Sequence, residues 1–365
     1  MPSLPHTSAG VVEMRWIGMR GGGEAQVGRV RMTTLVADIG GTNARFALAD
    51  AAGVLHDVLR LPTAGYPRIE DGIVDYLQRI GAARPGGAAG ARGPAFARGP
   101  AARVTSACLA VAGPVAQGCA TLTNAHWLFD EAALAGALGF QVRLVNDFQA
   151  QAAALGLLGS DDVEPIGNAQ IGAGLRFVLG PGTGLGGAAW LPDADQGRVV
   201  PTEIGHVDIA PGDALEVELV ALLAARFERV TWEHVLCGSG LVNLHAAMGQ
   251  LWGAAPEPLL LLRPEAVVSR ALEAQDPVAM HALEIFANWL GGLAGNLALT
   301  FLPRGGLFLT GGIAAQLAGV IAGGGFRRRF EDRAPLSAML QGMATARILD
   351  LDHGLRGAAV LARAR

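Results

Sequence analysis

The sequence predicts an α/β protein with two similar halves. Strand-like apolar runs alternate with helical stretches along the chain. Two strands, far apart in sequence, each run into a glycine- and threonine-rich turn and out into a second strand, which suggests a duplicated architecture. The chain has 365 residues, 51% of them hydrophobic, enough for two domains or one two-lobed unit.

The elements follow in order. A first strand is expected over 34–39 ("TLVADI") and a second over 45–50 ("RFALAD"), with Gly40-Gly41-Thr42 between them. A helix at about 67–80, a strand at 107–113 ("ACLAVAG") and a helix at 130–138 come next. A strand at 142–146 ("VRLVN") leads into a helix at 147–158. The second half repeats the opening: "RFVLG" (176–180), the turn Gly182-Thr183-Gly184, then "GGAAWL" (186–191). Helices are expected at 213–227, 238–249 and 276–302, a strand at 306–311, a helix beginning near Ile313 and a last helix at 355–364. Residues 81–103 carry four arginines and no acid, and are expected to form a disordered surface insertion. Residues 1–32 hold no compact apolar segment of the secretory kind and are expected to be a disordered extension, with Met32 as the natural start.

Bulk properties exclude several classes. A net charge of −4 leaves no general attraction for nucleic acid. Cys108, Cys119 and Cys237 are too scattered for a metal knuckle or a disulfide framework, so reduced thiols in a cytoplasmic protein are expected. The longest apolar helical run, 290–302, falls short of the roughly 20 residues that span a bilayer, and no membrane association is expected. Gly182-x-Gly184-x-x-Gly187 fits a dinucleotide fingerprint, but that motif needs a helix after the glycines, and "AAWLPDADQGR" reads as strand and turn.

The glycine turns are candidates for phosphate binding, because backbone N–H groups without side chains around them form an anion cradle. Gly40, Gly41 and Thr42 form one; Gly182, Thr183 and Gly184 form the other. Two ordinary tight turns are the alternative. Asp38 stands where it could hold Mg²⁺, directly or through water, since that ion takes hard oxygen ligands. Asn146 and Asp147 close the strand "VRLV" at the end where α/β sheets bind ligands. They also fit a helix cap, with Asn146 as the capping residue and Asp147 as a first-turn acid. "PTEIGHVDIAP" places Glu203 and His206 in an apolar context; one Glu-x-x-His copy broken by Gly205 is not an iron site, but its groups suit sugar hydroxyls. Glu233 precedes Gly238 and Gly240 and would be unremarked by itself.

Taken together, "ADIGGTNARFALAD", "LAVAGPV", "TNAHWLFD", "LVNDFQAQAAAL", "GPGTGLGGA", "EIGHVDIAP", "EHVLCGSGLVNLH", "GGLAGNLAL" and "LFLTGGIA" resemble the proteobacterial-type glucokinases. These belong to the actin-like, sugar-kinase and heat-shock ATPase superfamily. The segments keep the family's order from about residue 34 to the C-terminus. The resemblance implies a two-lobed actin-like (ribonuclease H-like) fold with duplicated domains around a central cleft. It implies a small domain over 33–145 with helix 353–365 packing back on it, and a large domain over 146–352. The implied activity is ATP-dependent phosphorylation of D-glucose to glucose 6-phosphate. Asp147 matches the general base on the 6-hydroxyl, and Asn124, Asn146, Glu203, His206 and Glu233 match sugar-site residues. Ala37, Asp38, Ile39, Gly40, Gly41 and Thr42 match the first phosphate loop, Gly182 and Thr183 the second, and Gly311-Gly312 the adenosine-side turn. ATP with Mg²⁺, a homodimer and the cytoplasm complete the expectation. Ile204 stands where the family commonly has glycine, and Gly-Ser-Gly replaces Gly-Pro-Gly at 238–240, so fine sugar selectivity stays open. So do a kinase for another hexose, an actin-like or chaperone ATPase without a sugar site, and ATP against polyphosphate as donor. The related repressor and kinase family with a cysteine-rich zinc motif is disfavoured, because that motif is absent.

Overall fold

Two sheets of the same strand order organise the chain. The computed structural model describes residues 32–82, 103–122, 127–193, 197–254 and 262–364. Residues 1–31, nearly all of the arginine-rich insertion, and Asn124 lie outside the described residues.

The first sheet opens with β1 (Met32–Ile39), β2 (Asn43–Ala49) and β3 (Leu55–Pro62), an antiparallel meander. Helix α1 (Ile69–Arg79) follows, and then β4 (Arg103–Val111), which lies parallel to β1. A small sheet of β5 (Val115–Ala116), β6 (Cys119–Thr121) and β7 (Leu128–Asp130) precedes helix α2 (Glu131–Leu138). Strand β8 (Gln141–Asn146) completes the order β3-β2-β1-β4-β8. It runs without a break into helix α3 (Asp147–Ala154).

After β9 (Val163–Ile166), the pattern repeats as β10 (Arg176–Pro181), β11 (Leu185–Leu191) and β12 (Arg198–Pro201), again antiparallel. Four helices come next: α4 (Ala214–Ala224), α5 (Gly238–Leu251), α6 (Pro264–Leu272) and α7 (Pro277–Phe301). Strand β13 (Gly306–Leu309) pairs parallel with β10. The short helices α8 (Gly312–Gln316), α9 (Ala318–Ala322), α10 (Gly325–Glu331) and α11 (Ser337–Gln341) lead to β14 (Thr345–Ile348). The second sheet is ordered β12-β11-β10-β13-β14-β9, so its first five strands reproduce the first sheet. The duplication expected from the two glycine turns is present.

The larger core surrounds α7, whose Phe286, Trp289, Leu290 and Leu293 are buried. The last helix, α12 (His353–Arg363), returns to the first sheet: Leu355, Ala358 and Ala359 pack on Val36, Ala47, Cys108, Ala110 and Val145. Burying such apolar area at about 25 cal/mol per Å² is the main favourable term in folding. Helix α3 packs on both sheets. Its Ala150 joins the cluster with α12, and its Ala152 joins the cluster with Val178, Ala188 and Phe308.

Several boundaries differ from the sequence reading. The helix expected over 147–158 stops at Ala154 and tightens into a 3-10 turn at Leu155–Leu157. Strand β3 carries no clear apolar alternation because it is an edge strand with most side chains exposed or half-buried. Strands β9 and β14 have four residues each, interrupted by Glu164 and Pro165 in one and Arg347 in the other, so neither shows as an apolar run. Among the described residues, no helix is long and apolar enough to cross a membrane.

Candidate active site

Asp147 is placed by chain geometry at the point where the halves meet. Strand β8 delivers it to the first turn of α3, and Asn146 caps that helix. The Asn146 Oδ1 accepts from the N–H of Phe148 at 3.0 Å and of Gln149 at 3.3 Å. The Asn146 amide nitrogen donates to the Gly113 carbonyl and to Asp147 Oδ1, both at 3.0 Å. Capping and contact with the Asp147 carboxylate therefore coexist. Asn146 holds the Asp147 carboxylate to the end of the first sheet.

Phe148, the next residue, points the other way, into the second hairpin. Its ring lies against Gly180 and Gly186, where any Cβ would collide with it. Asp147 is thus fixed between the end of β1–β2 on one side and the β10–β11 hairpin on the other. Burial, and then the charge of Asp38, push its carboxyl up to about 7, against the lowering effect of the Phe148 N–H and the Asn146 amide.

The two hairpin tips are built alike. Gly40 N–H closes on the Asn43 carbonyl at 3.0 Å, and Gly182 N–H closes on the Gly184 carbonyl at 2.8 Å. The N–H groups of Gly41, Thr42, Thr183 and Gly184 take no part in these turn bonds. Thr42 and Thr183 are both exposed. Thr63 braces the first tip, its Oγ1 donating to the Gly41 carbonyl at 2.7 Å. The second tip is braced by the start of α5, where Gly238 N–H donates to the Gly182 carbonyl at 2.9 Å. Thr310 N–H donates to the Leu179 carbonyl at 3.0 Å, which carries Gly311 and Gly312 to the same edge as the second tip. The start of α8 is therefore at Gly312, and both glycines are exposed. Strand β11 follows the tip directly, so the dinucleotide fingerprint has no helix to act through.

Ala37, Asp38 and Ile39 end β1, with the side chains of Ala37 and Ile39 fully buried. Asp38 stands opposite Arg45 in the hairpin register, its carboxylate 4.0 Å from the guanidinium. Arg45 also donates to the Leu351 carbonyl. Burial pushes the Asp38 carboxyl above the ordinary aspartate range; Arg45 pulls it back, and Asp352 adds to the rise.

Glu203, His206 and Glu233 arrive from two 3-10 turns, Ile204–His206 and Trp232–His234. Trp232 N–H donates to the Val207 carbonyl at 3.1 Å, joining the turns. Thr202 Oγ1 donates to the Gly187 carbonyl at 2.6 Å and sets this unit on β11. Glu233 Oε2 accepts the N–H of Leu185 at 2.8 Å. Glu203 and His206 are exposed, and Glu233 is half-buried. Every described site residue of the sequence reading thus lies at the ends of β1, β8, β10 or β13, at the β10–β11 tip, or on turns tied to that hairpin.

Three residues beside Asp38 and Asp147 are absent from the sequence reading. Arg45 faces Asp38, which strand pairing could have exposed. Gln151 lies four residues after Asp147, on the same helix face, and its Oε1 is buried without a hydrogen-bond partner. Gly354, at the start of α12, leaves room for Asp38; a Cβ there would stand 2.9 Å from its Oδ2.

A duplicated five-strand order with a carboxylate between two glycine–threonine tips is the architecture of the two-lobed, actin-like sugar kinases. A protein-family model described as Glucokinase matches residues 35–365. A glucokinase of Chromobacterium violaceum is 39% identical over 313 residues, covering 84% of this chain and 82% of that protein. A glucokinase of Stenotrophomonas maltophilia strain R551-3 is 37% identical over 341 residues, covering 90% of this chain and 94% of that protein. The crystal structure of a glucokinase from an Antarctic psychrotroph superposes with a TM-score of 0.74 at 31% identity, over 90% of this chain and 98% of that one. The chain belongs to the glucokinase family.

Proposed function

We propose that this chain transfers the γ-phosphoryl group of ATP to the 6-hydroxyl of D-glucose, with Asp147 as general base. The observation that carries the reading is the position of Asp147, between the end of β1 and the β10–β11 hairpin, with its carboxyl pushed up to about 7. A base poised near the working pH is the most effective at taking a proton in the transition state. Asp147 accepts the 6-hydroxyl proton as that oxygen attacks the γ-phosphorus. The bond from phosphorus to the bridging oxygen breaks, and ADP leaves.

Glu203, His206 and Glu233 supply acceptors and donors for the remaining hydroxyls, joined by Asn124 on the ground of family resemblance. The two donors of Asn146 are already engaged, so its main contribution here is to hold Asp147. The free N–H groups at Gly41, Thr42, Thr183 and Gly184 cradle the phosphates, and Gly311-Gly312 borders the adenosine. Positioning and preformed dipoles supply most of the catalysis. The half-buried Asp38 carboxylate and the unpartnered Gln151 Oε1 fit a hydrated Mg²⁺, which when bound would offset charge on the phosphate oxygens.

The proposal divides the chain into a small domain over 33–145, closed by helix 353–365, and a large domain over 146–352. It extends to a homodimer in the cytoplasm. Its test is ADP release with ATP and, in turn, glucose, mannose, N-acetylglucosamine and no sugar. Release that depends on glucose supports the reading. Equal release without sugar would make the chain an ATPase of the chaperone type, and preference for another hexose would overturn glucose as substrate.

A further inference from the structure

The end of the second sheet away from the glycine tip holds a cavity that the phosphoryl-transfer site does not use. It is a cleft of about 490 Å³, open to solvent on one side, and is lined from β9, the start of β10, β13, β14, the loop after β9 and the segment after α3. That volume falls within the ordinary range for small-molecule sites, ~300–1,000 Å³. Arg176 begins β10 and Pro181 ends it, so cavity and glycine tip lie at opposite ends of one strand, about 17 Å apart at 3.3 Å per residue.

Arg176 is the one charged side chain in this lining. It is half-buried, its guanidinium 5.8 Å from the ring centre of Trp190 and 5.9 Å from that of Phe308. It donates to the Leu155 carbonyl, and no carboxylate pairs with it among the described residues. A guanidinium carries five N–H donors, and burying a cation without a counter-charge is costly. The nearby acids are turned to other partners. Asp161 accepts from the Ser160 hydroxyl at 3.2 Å, Asp162 from the Gly159 N–H at 2.9 Å, and Glu164 pairs with Arg347 at 2.7 Å. Asn168 and Gln170 add amide groups, and Ile171 and Phe308 add apolar surface.

We propose that this cavity is a second ligand site, for a small molecule that carries a phosphate or carboxylate on a flat apolar body. The anionic group sits on the Arg176 fork, which matches both anions geometrically. The body lies against Phe308 and Ile171.

Phenyl phosphate, benzoate and inorganic phosphate serve as probes, titrated calorimetrically into the full chain with glucose and a non-hydrolysable ATP analogue saturating the cleft. Phenyl phosphate or benzoate binds under these conditions, more tightly than inorganic phosphate, and the tighter of the two identifies the anionic group. Arg176→Gln weakens that binding about tenfold or more, since hydrogen bonds to a charged group are worth ~1.5–3 kcal/mol. The double variant Asn168→Asp/Gln170→Glu, which leaves the stacked guanidinium in place, also expels the anion. Absence of binding with the cleft filled, or unchanged affinity in both variants, would overturn the proposal and leave Arg176 as a prop for the Leu155 carbonyl.

Discussion

Glu233 holds the backbone N–H of Leu185, so a carboxylate proposed for sugar recognition is anchored to the hairpin proposed for phosphate recognition. Glu233→Gln keeps an acceptor for that N–H and removes the charge. The KM for glucose is expected to rise about ten- to a hundredfold, as for the loss of a charged hydrogen bond worth ~1.5–3 kcal/mol. The KM for ATP stays within about twofold. Steady-state kinetics with each substrate varied in turn checks this; a rise confined to ATP would place Glu233 on the nucleotide side.

Asp147→Asn removes the base and leaves the shape. Turnover is expected to fall by about 10²–10⁴, the usual worth of general-base catalysis, while glucose and ATP still bind. Calorimetric titration beside single-turnover kinetics separates the two effects. Near-normal turnover would refute the base assignment.

The raised Asp147 pKa has two pH signatures. The base acts when ionised, so kcat/KM is expected to rise as pH passes upward through about 7. Stability runs the other way for this residue. The folded state binds its proton more tightly than the unfolded chain, where an aspartate titrates near ~3.9. Its contribution to stability is therefore lost as pH rises from about 4 to about 7. Asp147→Asn is expected to melt at a higher temperature than the parent at pH 8, with the gap closing toward pH 4. A thermal melt series of both proteins without ligands reads this directly.

Helix α12 meets α3 where Gly357 sits on the Ala150 carbonyl, with no space for a side chain. Gly357→Ala is expected to cost ~1–3 kcal/mol, the usual price of overpacking, and to lower kcat as well, because α3 carries Asp147. A lower melting temperature with unchanged kcat would show that α3 absorbs the shift without moving its first turn.

The duplicated hairpins were legible in the sequence because glycine and threonine mark the tips and apolar runs flank them. Asp147 stood out because a buried strand ended in two polar residues. Glu203, His206 and Glu233 were different. Nothing local tied them to one another or to the hairpin, since their link is three-dimensional, through Trp232 N–H on Val207 and Glu233 on Leu185. Family resemblance connected them where spacing could not. Arg45 and Gln151 were missed for the same reason: each acts on Asp38 or beside it through register and helix phase. The four-residue β13 shows as an unbroken apolar run, whereas β9 and β14 escaped because Glu164, Pro165 and Arg347 interrupt theirs.

Helix α12 closes the face of a sheet whose first strand begins more than 300 residues earlier. On that face Val36, Ala47 and Val145 meet Leu355, Ala358 and Ala359, so its packing is complete only once the residues of α12 are present. The first sheet thus depends for its cover on the segment farthest from it in sequence, and losing α12 would uncover β1 and β4 rather than the strands nearest to it along the chain.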